Sequence, residues 1–386
     1  MNTEYIRKSK ETKPVVAICY DFDKTLSPND MQAQGFIQSV GCDVTSFWTE
    51  SNGLADANEM DQNLAYMYTM MKKVRGNLVF NKKVLKEYGA QVMLFPGVEN
   101  WFDRIKEYGE AKGVIIEHYI ISSGLKEMIE GTRVADKFEK IYASSFYYDE
   151  DGVALWPAQV INYTSKTQFL FRIEKGVLDV NDSGVNDYFE PEKIRVPFRN
   201  MIYIGDSDTD IPCMKLINSN QGHSIGVYNS ETNNKSKVFK MMHDNRIKYF
   251  APADYTENSE LDKLIKAIID RTAYNEVLES IHYKDKTEFI KNDESTNAEQ
   301  KAKRDLIIAL ENSNSFAKTH VIVDALRGYN EWSAGELDWL VDIAVENSQV
   351  YAILTDSDVK NFYKSILEKM TPLSDKAYTL KSRIAD

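Results

Sequence analysis

Four groups of residues in this 386-residue chain have types and spacings suited to chemistry on a charged ligand. Asp21 and Asp23 follow the apolar run Val15–Tyr20 and precede Thr25. Residues two apart on an extended chain point the same way, so both carboxyls can address one site. Asp is equally at home in a plain turn after a strand. Ser122, Ser123 and Gly124 end a second apolar run, an order that presents hydroxyls and backbone N–H groups to an anion, or that simply caps the next helix. Lys166 falls in the first turn of an expected helix capped by Thr164 or Ser165. A cation there opposes the helix dipole, which makes it either a functional group or a solvated surface lysine. Asp206, Asp208 and Asp210 crowd one turn after Gly205. Such neighbouring carboxylates repel one another unless a cation compensates them, and a divalent metal ion is the economical one.

Elements must deliver these groups. Val15–Tyr20, β-branched at three positions, reads as a strand buried on both faces, as in a central parallel sheet. Tyr119–Ile121, Met201–Ile204 and His223–Tyr228 read as further buried strands, with a fifth around Lys248–Asp254. Lys140–Pro157 reads as a strand and hairpin turning at Asp151-Gly152. Open α/β sheets bind ligands at the carboxyl edge of their strands, where Asp21, Ser122 and Asp206 would all emerge.

Between the first two strands, Leu26 to Phe95 carries helical spacing and is too long for a simple crossover. Leu64, Met67, Tyr68 and Met71 form its clearest stripe. Pro96-Gly97 closes it, and Val98, Trp101, Phe102 and Ile105 begin an amphipathic helix. Past about Thr272 the glycine-tipped strands cease. A charged stretch over 272–302, connector or exposed helix, leads to a helical region over 303–386, where Ser333 and Glu336 are set as a capping box.

Composition narrows the class. At 43% hydrophobic the chain can bury more than one core, and its formal charge of −12 argues against a general nucleic-acid or anionic-membrane surface. No apolar run approaches the roughly 20 residues that span a bilayer, and the N-terminal segment is polar, so the chain reads as cytoplasmic. Cys19, Cys42 and Cys213 are scattered and form no metal or redox pair.

DFDKT, SSG, Lys166 and GDSDTD in this order resemble the four motifs of the haloacid dehalogenase superfamily, phosphatase branch, over about residues 14–271. The resemblance implies an α/β fold, a Rossmann-like doubly wound parallel sheet over 14–29 and 96–271, with a helical cap over 30–95. It makes Asp21 the nucleophile that forms an aspartyl-phosphate, and Asp23 the general acid and base. It puts Mg²⁺ on the Asp21 and Asp206 side chains and the Asp23 carbonyl. Lys166, Thr25, Ser122, Ser123 and Gly124 would bind the phosphoryl group, with Ser122 the first choice of the two serines. Asp210 would orient Lys166 or a metal water, and Asp208 receives no role. True dehalogenases lack an acid at the position of Asp23; this chain has one.

The implied activity is hydrolysis of a small phosphorylated metabolite, since a cap excludes bulky substrates. A phosphotransferase or mutase would use the same intermediate. A ligand-sensing protein with a partner-binding tail belongs to another class, but would not need both Asp21 and Asp23. The C-terminal helical region is where a homo-oligomer contact or a protein partner is expected.

Overall fold

The computed structural model describes residues 5–76, 78–292 and 298–385. β1 (Val15–Tyr20) is buried throughout, and its alternation explains the unbroken apolar run. Val16, Ile18 and Tyr20 enter one hydrophobic core, while Val15, Ala17 and Cys19 enter another on the opposite face. Beside it lie β2 (Ile115–Leu125), β3 (Lys140–Tyr148), β4 (Ala154–Gln159), β5 (Met201–Gly205), β6 (His223–Tyr228) and β7 (Tyr249–Pro252), in the order β4-β3-β2-β1-β5-β6-β7. Only β4 runs antiparallel to its neighbour, as the second arm of the expected hairpin. The fold is thus the expected α/β class.

This order reverses direction at β1, which leaves a crevice between β1 and β5 at their carboxyl ends. Register makes the crevice usable. Tyr20 pairs with both Ile120 and Ile204, so three strands end at nearly one level.

The chain leaves the sheet after β1 and returns before the helix Val98–Ala111. The two ends of this excursion are tied by the Phe95 N–H donating to the Leu26 carbonyl at 2.9 Å. Between them lie the helices Phe36–Ser39, Val44–Ala57, Gln62–Val74 and Lys82–Gly89. Their buried residues share one cluster with the sheet face of Ile18 and Tyr20. Within Gln62–Val74 the buried face is Tyr66, Met67, Met70 and Val74, and Tyr68 is exposed, so the stripe read from the sequence is rotated. Apolar spacing located the helix, but a tyrosine satisfies such a pattern from the wet side as well as the dry one.

The helix after β7 continues into the charged stretch. It runs Glu260–Asn292, so the first part of the charged stretch is helical; residues 293–297 of that stretch lie outside the described residues. The chain divides into two compact units, Met1–His282 and Tyr283–Asp386. In the second, helices including Ala298–Glu311, Phe316–Leu326, Ala334–Glu346 and Ser357–Glu368 bury a separate core of Ile307, Leu310, Val323, Leu340, Val341, Phe362 and Ile366. Ser333 and Glu336 form the reciprocal cap of Ala334–Glu346.

Buried polar groups tie down the first unit. The Trp101 indole N–H donates to the Tyr20 hydroxyl at 2.8 Å, and that hydroxyl lies 3.0 Å from His118 Nδ1. His118 Nε2 is 3.2 Å from the Phe102 carbonyl, an arrangement that suits a neutral ring. Burial, with Lys106 nearby, holds its pKa down to about 3. Near the start of β2, burial alone would raise Glu117, but Arg195, Lys8 and Tyr119 bring it down to about 2. Both folded values lie below the ordinary 6.5 and 4.5, so both groups contribute stability that is complete at neutral pH. His118 loses its share as pH falls from 6.5 toward 3, and Glu117 from 4.5 toward 2. These shares are opposed by buried carboxyls with raised pKa values, such as Glu174 at about 7, which gain stability as pH falls. His118→Gln should remove the His118 share and so change the pH dependence of stability below pH 6.5 by up to about 1.4 kcal/mol per pH unit; an unchanged dependence would count against this role.

Candidate active site

Asp21 directly follows β1, and its backbone N–H donates to the Ile204 carbonyl of β5 at 2.9 Å. This bond carries the strand pairing one residue further and fixes the carboxyl at the crevice. Lys166 arrives from the other side of the sheet. Its Nζ is fully buried and lies 2.7 Å from Asp210 Oδ1 and 3.3 Å from Asp21 Oδ1. The solvated-lysine reading is therefore excluded. The expected helix start is also shifted. Tyr163–Lys166 is a 3-10 turn capped by Asn162 with Ser165, and the α-helix proper is Thr167–Lys175. A buried ammonium persists only beside compensating carboxylates, and here it has two.

Asp210 is held by several donors besides Lys166. Tyr203 OH donates to Oδ1 at 2.9 Å, and Ser207 donates to Oδ2 through its N–H at 3.2 Å and its hydroxyl at 3.1 Å. Gly205 permits this, because a Cβ there would stand 2.5 Å from Asp210 Oδ2. Asp206 is treated very differently. It is buried, and among the described residues its nearest cation is Lys237 Nζ at 3.8 Å. Burial, then Asp210 and Asp21, push its carboxyl up to about 8.

Asp21, Asp206 and Asp210 offer oxygens within 4.8 Å of one another, a spacing that can hold a metal ion. The oxygens of Asp210 already accept from lysine, tyrosine and serine, which leaves Asp21 and Asp206 as the side chains free to ligate. Asp206, a buried carboxylate with no hydrogen-bond donor among the described residues, fits a bound cation well. Asp208, by contrast, is exposed on the turn.

Asp23 is half-buried and points at the insertion, its Oδ1 accepting from the Met31 N–H at 2.8 Å. Burial and the charges of Asp30 and Asp21 raise its pKa well above the ordinary value. Asp21 is raised less, to about 6: burial pushes it up, the Lys166 charge pulls it down and Asp210 raises it. β2 extends through the serines to Leu125, and the next helix begins at Lys126. Ser122 is buried, and its hydroxyl accepts from the Gly124 N–H at 3.1 Å and lowers the Asp21 pKa. Gly124 has no room for a side chain: a Cβ would lie 2.9 Å from Asp23 Oδ2 and 2.6 Å from the Met31 methyl. The hydroxyls of Thr25 and Ser123 are buried with no hydrogen-bond partner among the described residues.

Asp21, Asp23, Thr25, Ser122, Ser123, Gly124, Lys166, Asp206 and Asp210 thus converge on one strand edge. Several neighbours carried no signal in the sequence. Tyr203 faces Asp210 from inside a strand, Lys237 reaches Asp206 from the helix Ser236–His243, and Tyr66 in the insertion donates to the Ser123 carbonyl at 2.9 Å. Lys24, adjacent to Asp23, has φ +58° and forms a two-pronged pair with Asp30 at 2.8 and 2.9 Å. A charged pair six residues apart looks like ordinary surface sequence. No helix among the described residues is long and apolar enough to cross a membrane.

The chain is 28% identical over 279 residues to an uncharacterized protein of Borreliella burgdorferi, covering 65% of this chain and 95% of the relative. Among solved structures it is similar to a HAD family hydrolase from Salmonella enterica serovar Typhi, at 16% identity and TM-score 0.44, covering 67% of this chain and 73% of the other. It is also similar to a phosphoserine phosphatase in a substrate-bound complex, at 14% identity and TM-score 0.42, covering 67% and 99%. Residues 18–215, a span that contains every residue of the convergent edge from Asp21 to Asp210, match the haloacid dehalogenase-like hydrolase family, and the chain belongs to it: this protein is a hydrolase of that family.

Proposed function

We propose that the protein is a Mg²⁺-dependent phosphatase that hydrolyses a small phosphorylated metabolite through an aspartyl-phosphate. The observation that carries this reading is the unequal treatment of the buried carboxylates. Lys166 lies between Asp210 and Asp21, while Asp206 beside them has no hydrogen-bond donor among the described residues, only Lys237 Nζ at 3.8 Å. One fixed cation next to Asp21 and one carboxylate awaiting a second suit a dianionic substrate and a divalent ion better than either alone.

Asp21 attacks phosphorus, and the ester oxygen departs with a proton from Asp23. In the second step Asp23 takes a proton from water as that water attacks the aspartyl-phosphate, releasing inorganic phosphate and restoring Asp21. Lys166 faces the phosphoryl oxygens throughout, and the unpartnered hydroxyls of Thr25 and Ser123, with Ser122 and the Gly124 N–H, are available to the same group. Asp21, Asp206 and the Asp23 carbonyl would hold Mg²⁺, whose positive charge when bound would offset repulsion between carboxylate and phosphate. The insertion packed over this edge limits substrate size and excludes water.

The test is release of inorganic phosphate from an aryl phosphate. Activity should vanish in EDTA and return with excess Mg²⁺, and Mg²⁺ without substrate should raise the melting temperature, because the ion binds only the folded site. Undiminished turnover in EDTA would refute the metal's role. Turnover that requires an added acceptor alcohol would instead identify a phosphotransferase.

A further inference from the structure

Side chains at the start of the helix Gln62–Val74 reach out of the insertion and bond to the sheet edge beside its phosphate-handling residues. Tyr66, buried in the insertion, donates its hydroxyl to the Ser123 carbonyl at 2.9 Å. Asn63 donates from Nδ2 to the Ile161 carbonyl at 2.6 Å, and Asp61, the cap of the helix, accepts from Asn162 Nδ2 at 3.1 Å.

The first target is a place where the sheet supplies no hold. β2 pairs with β3 at Ser122 with Ala143 and again at Leu125 with Ser144, and the register slips in between, so Ser123 and Gly124 have no residue opposite them. A trans peptide unit is planar, and the Ser123 carbonyl and the Gly124 N–H point in opposite directions. Fixing that carbonyl on Tyr66 therefore aims the N–H the other way, where it meets the Ser122 hydroxyl at 3.1 Å.

The second target leads into Lys166. Asn162 and Ser165 cap the turn Tyr163–Lys166 reciprocally, and Tyr163 within it has φ +38°. A left-handed tyrosine is strained and persists only where its neighbours are fixed. The Ile161 N–H is held by the Ser144 hydroxyl at 3.1 Å, while the insertion holds the carbonyl of the same residue and the Asn162 amide.

We propose that Tyr66 and Asn63 are positioning residues for the phosphoryl group: Tyr66 aims the Gly124 N–H through the Ser123 carbonyl, and Asn63 sets the turn that carries Lys166. This role rests on the phosphatase reading above. It makes one helix of the insertion responsible for the alignment of two separate phosphate-binding elements.

The test compares variants in aryl phosphate hydrolysis with Mg²⁺, and in inhibition by inorganic phosphate and by orthovanadate, a mimic of the phosphoryl transition state. Tyr66→Phe keeps the ring and removes only the donor. It should lower kcat on the order of 10-fold, the loss of about one hydrogen bond, with KM within about 2-fold. Inhibition by orthovanadate should weaken by a similar factor and that by phosphate much less, because a misaimed N–H matters most where charge develops in the transition state. Asn63→Ala should show the same pattern through Lys166. Tyr68→Ser, on the exposed face of the same helix, should match the wild type. An unchanged kcat in either variant removes that residue from the role, and unchanged values in both overturn the proposal while leaving the phosphatase reading intact. Equal weakening of phosphate and orthovanadate with a lowered melting temperature would also overturn it, as the mark of a merely structural helix. A wild-type chain that releases no phosphate overturns the phosphatase reading and this role with it.

Discussion

Asp21→Asn should reduce phosphate release on the order of 10⁴-fold or more while leaving the protein folded. Under the proposed mechanism Asp21 supplies the bond to phosphorus, and no other carboxylate can replace it. Asp210 is occupied by Lys166, Tyr203 and Ser207, and Asp206 is needed for the cation. Removing a nucleophile from a site whose parts act as a unit eliminates nearly the whole rate advantage. The same change removes one of three crowded buried carboxylates, so the melting temperature in EDTA should hold or rise. A steady-state assay beside a thermal melt checks both halves. Turnover within tenfold of the wild type would overturn the nucleophile assignment, and a collapsed melting temperature would show that Asp21 mainly supports the fold.

Lys166 should behave in the opposite way and cost both activity and stability. Its ammonium is fully buried between Asp21 and Asp210, and those charges raise its pKa against the effect of burial. Lys166→Met retains much of the chain length but leaves two carboxylates without their cation. Breaking a buried ion pair from one side costs about 3–5 kcal/mol. In a unit of this size that is a melting temperature lower by ~10 °C, measured in EDTA so that no metal ion stands in for the lysine. Asp210→Asn in the Lys166→Met background should recover part of the loss, because it removes the charge that the lysine had neutralised. That makes the double variant distinctly non-additive, and additive melting shifts would deny the coupling between the two side chains. Activity should not recover in the double variant, since the phosphoryl group still lacks its fixed cation.

These expectations rest on features that were legible in the chain to different degrees. Val15–Tyr20 could be placed as a central strand because a segment buried on both faces needs apolar residues at every position. Spacing directs the Asp21 and Asp23 side chains to one side but leaves a plain turn open, and the roles expected of them come from the resemblance to the family. The helix Gln62–Val74 was legible as a helix but not in its orientation, because Leu64, Met67, Tyr68 and Met71 fit the period as well as the face that is actually buried. Lys166 was the least certain residue of the set in isolation. A lysine near a helix start is commonplace, and only the approach of Asp21 and Asp210, distant in the chain, makes its burial tolerable.

Local chemistry and order along the chain therefore decided the class of fold and the strand ends at which the candidate acids lie, because strand burial and carboxylate crowding are properties of short segments. Folding decided which acid is left open to a cation. Asp206 and Asp210 lie four residues apart on the same turn and are indistinguishable as letters. One tucks back under Gly205 onto Lys166, Tyr203 and Ser207, and the other is left in the crevice without a hydrogen-bond donor among the described residues. That difference depends on which distant groups reach each oxygen, and such distances exist only after the strands have paired.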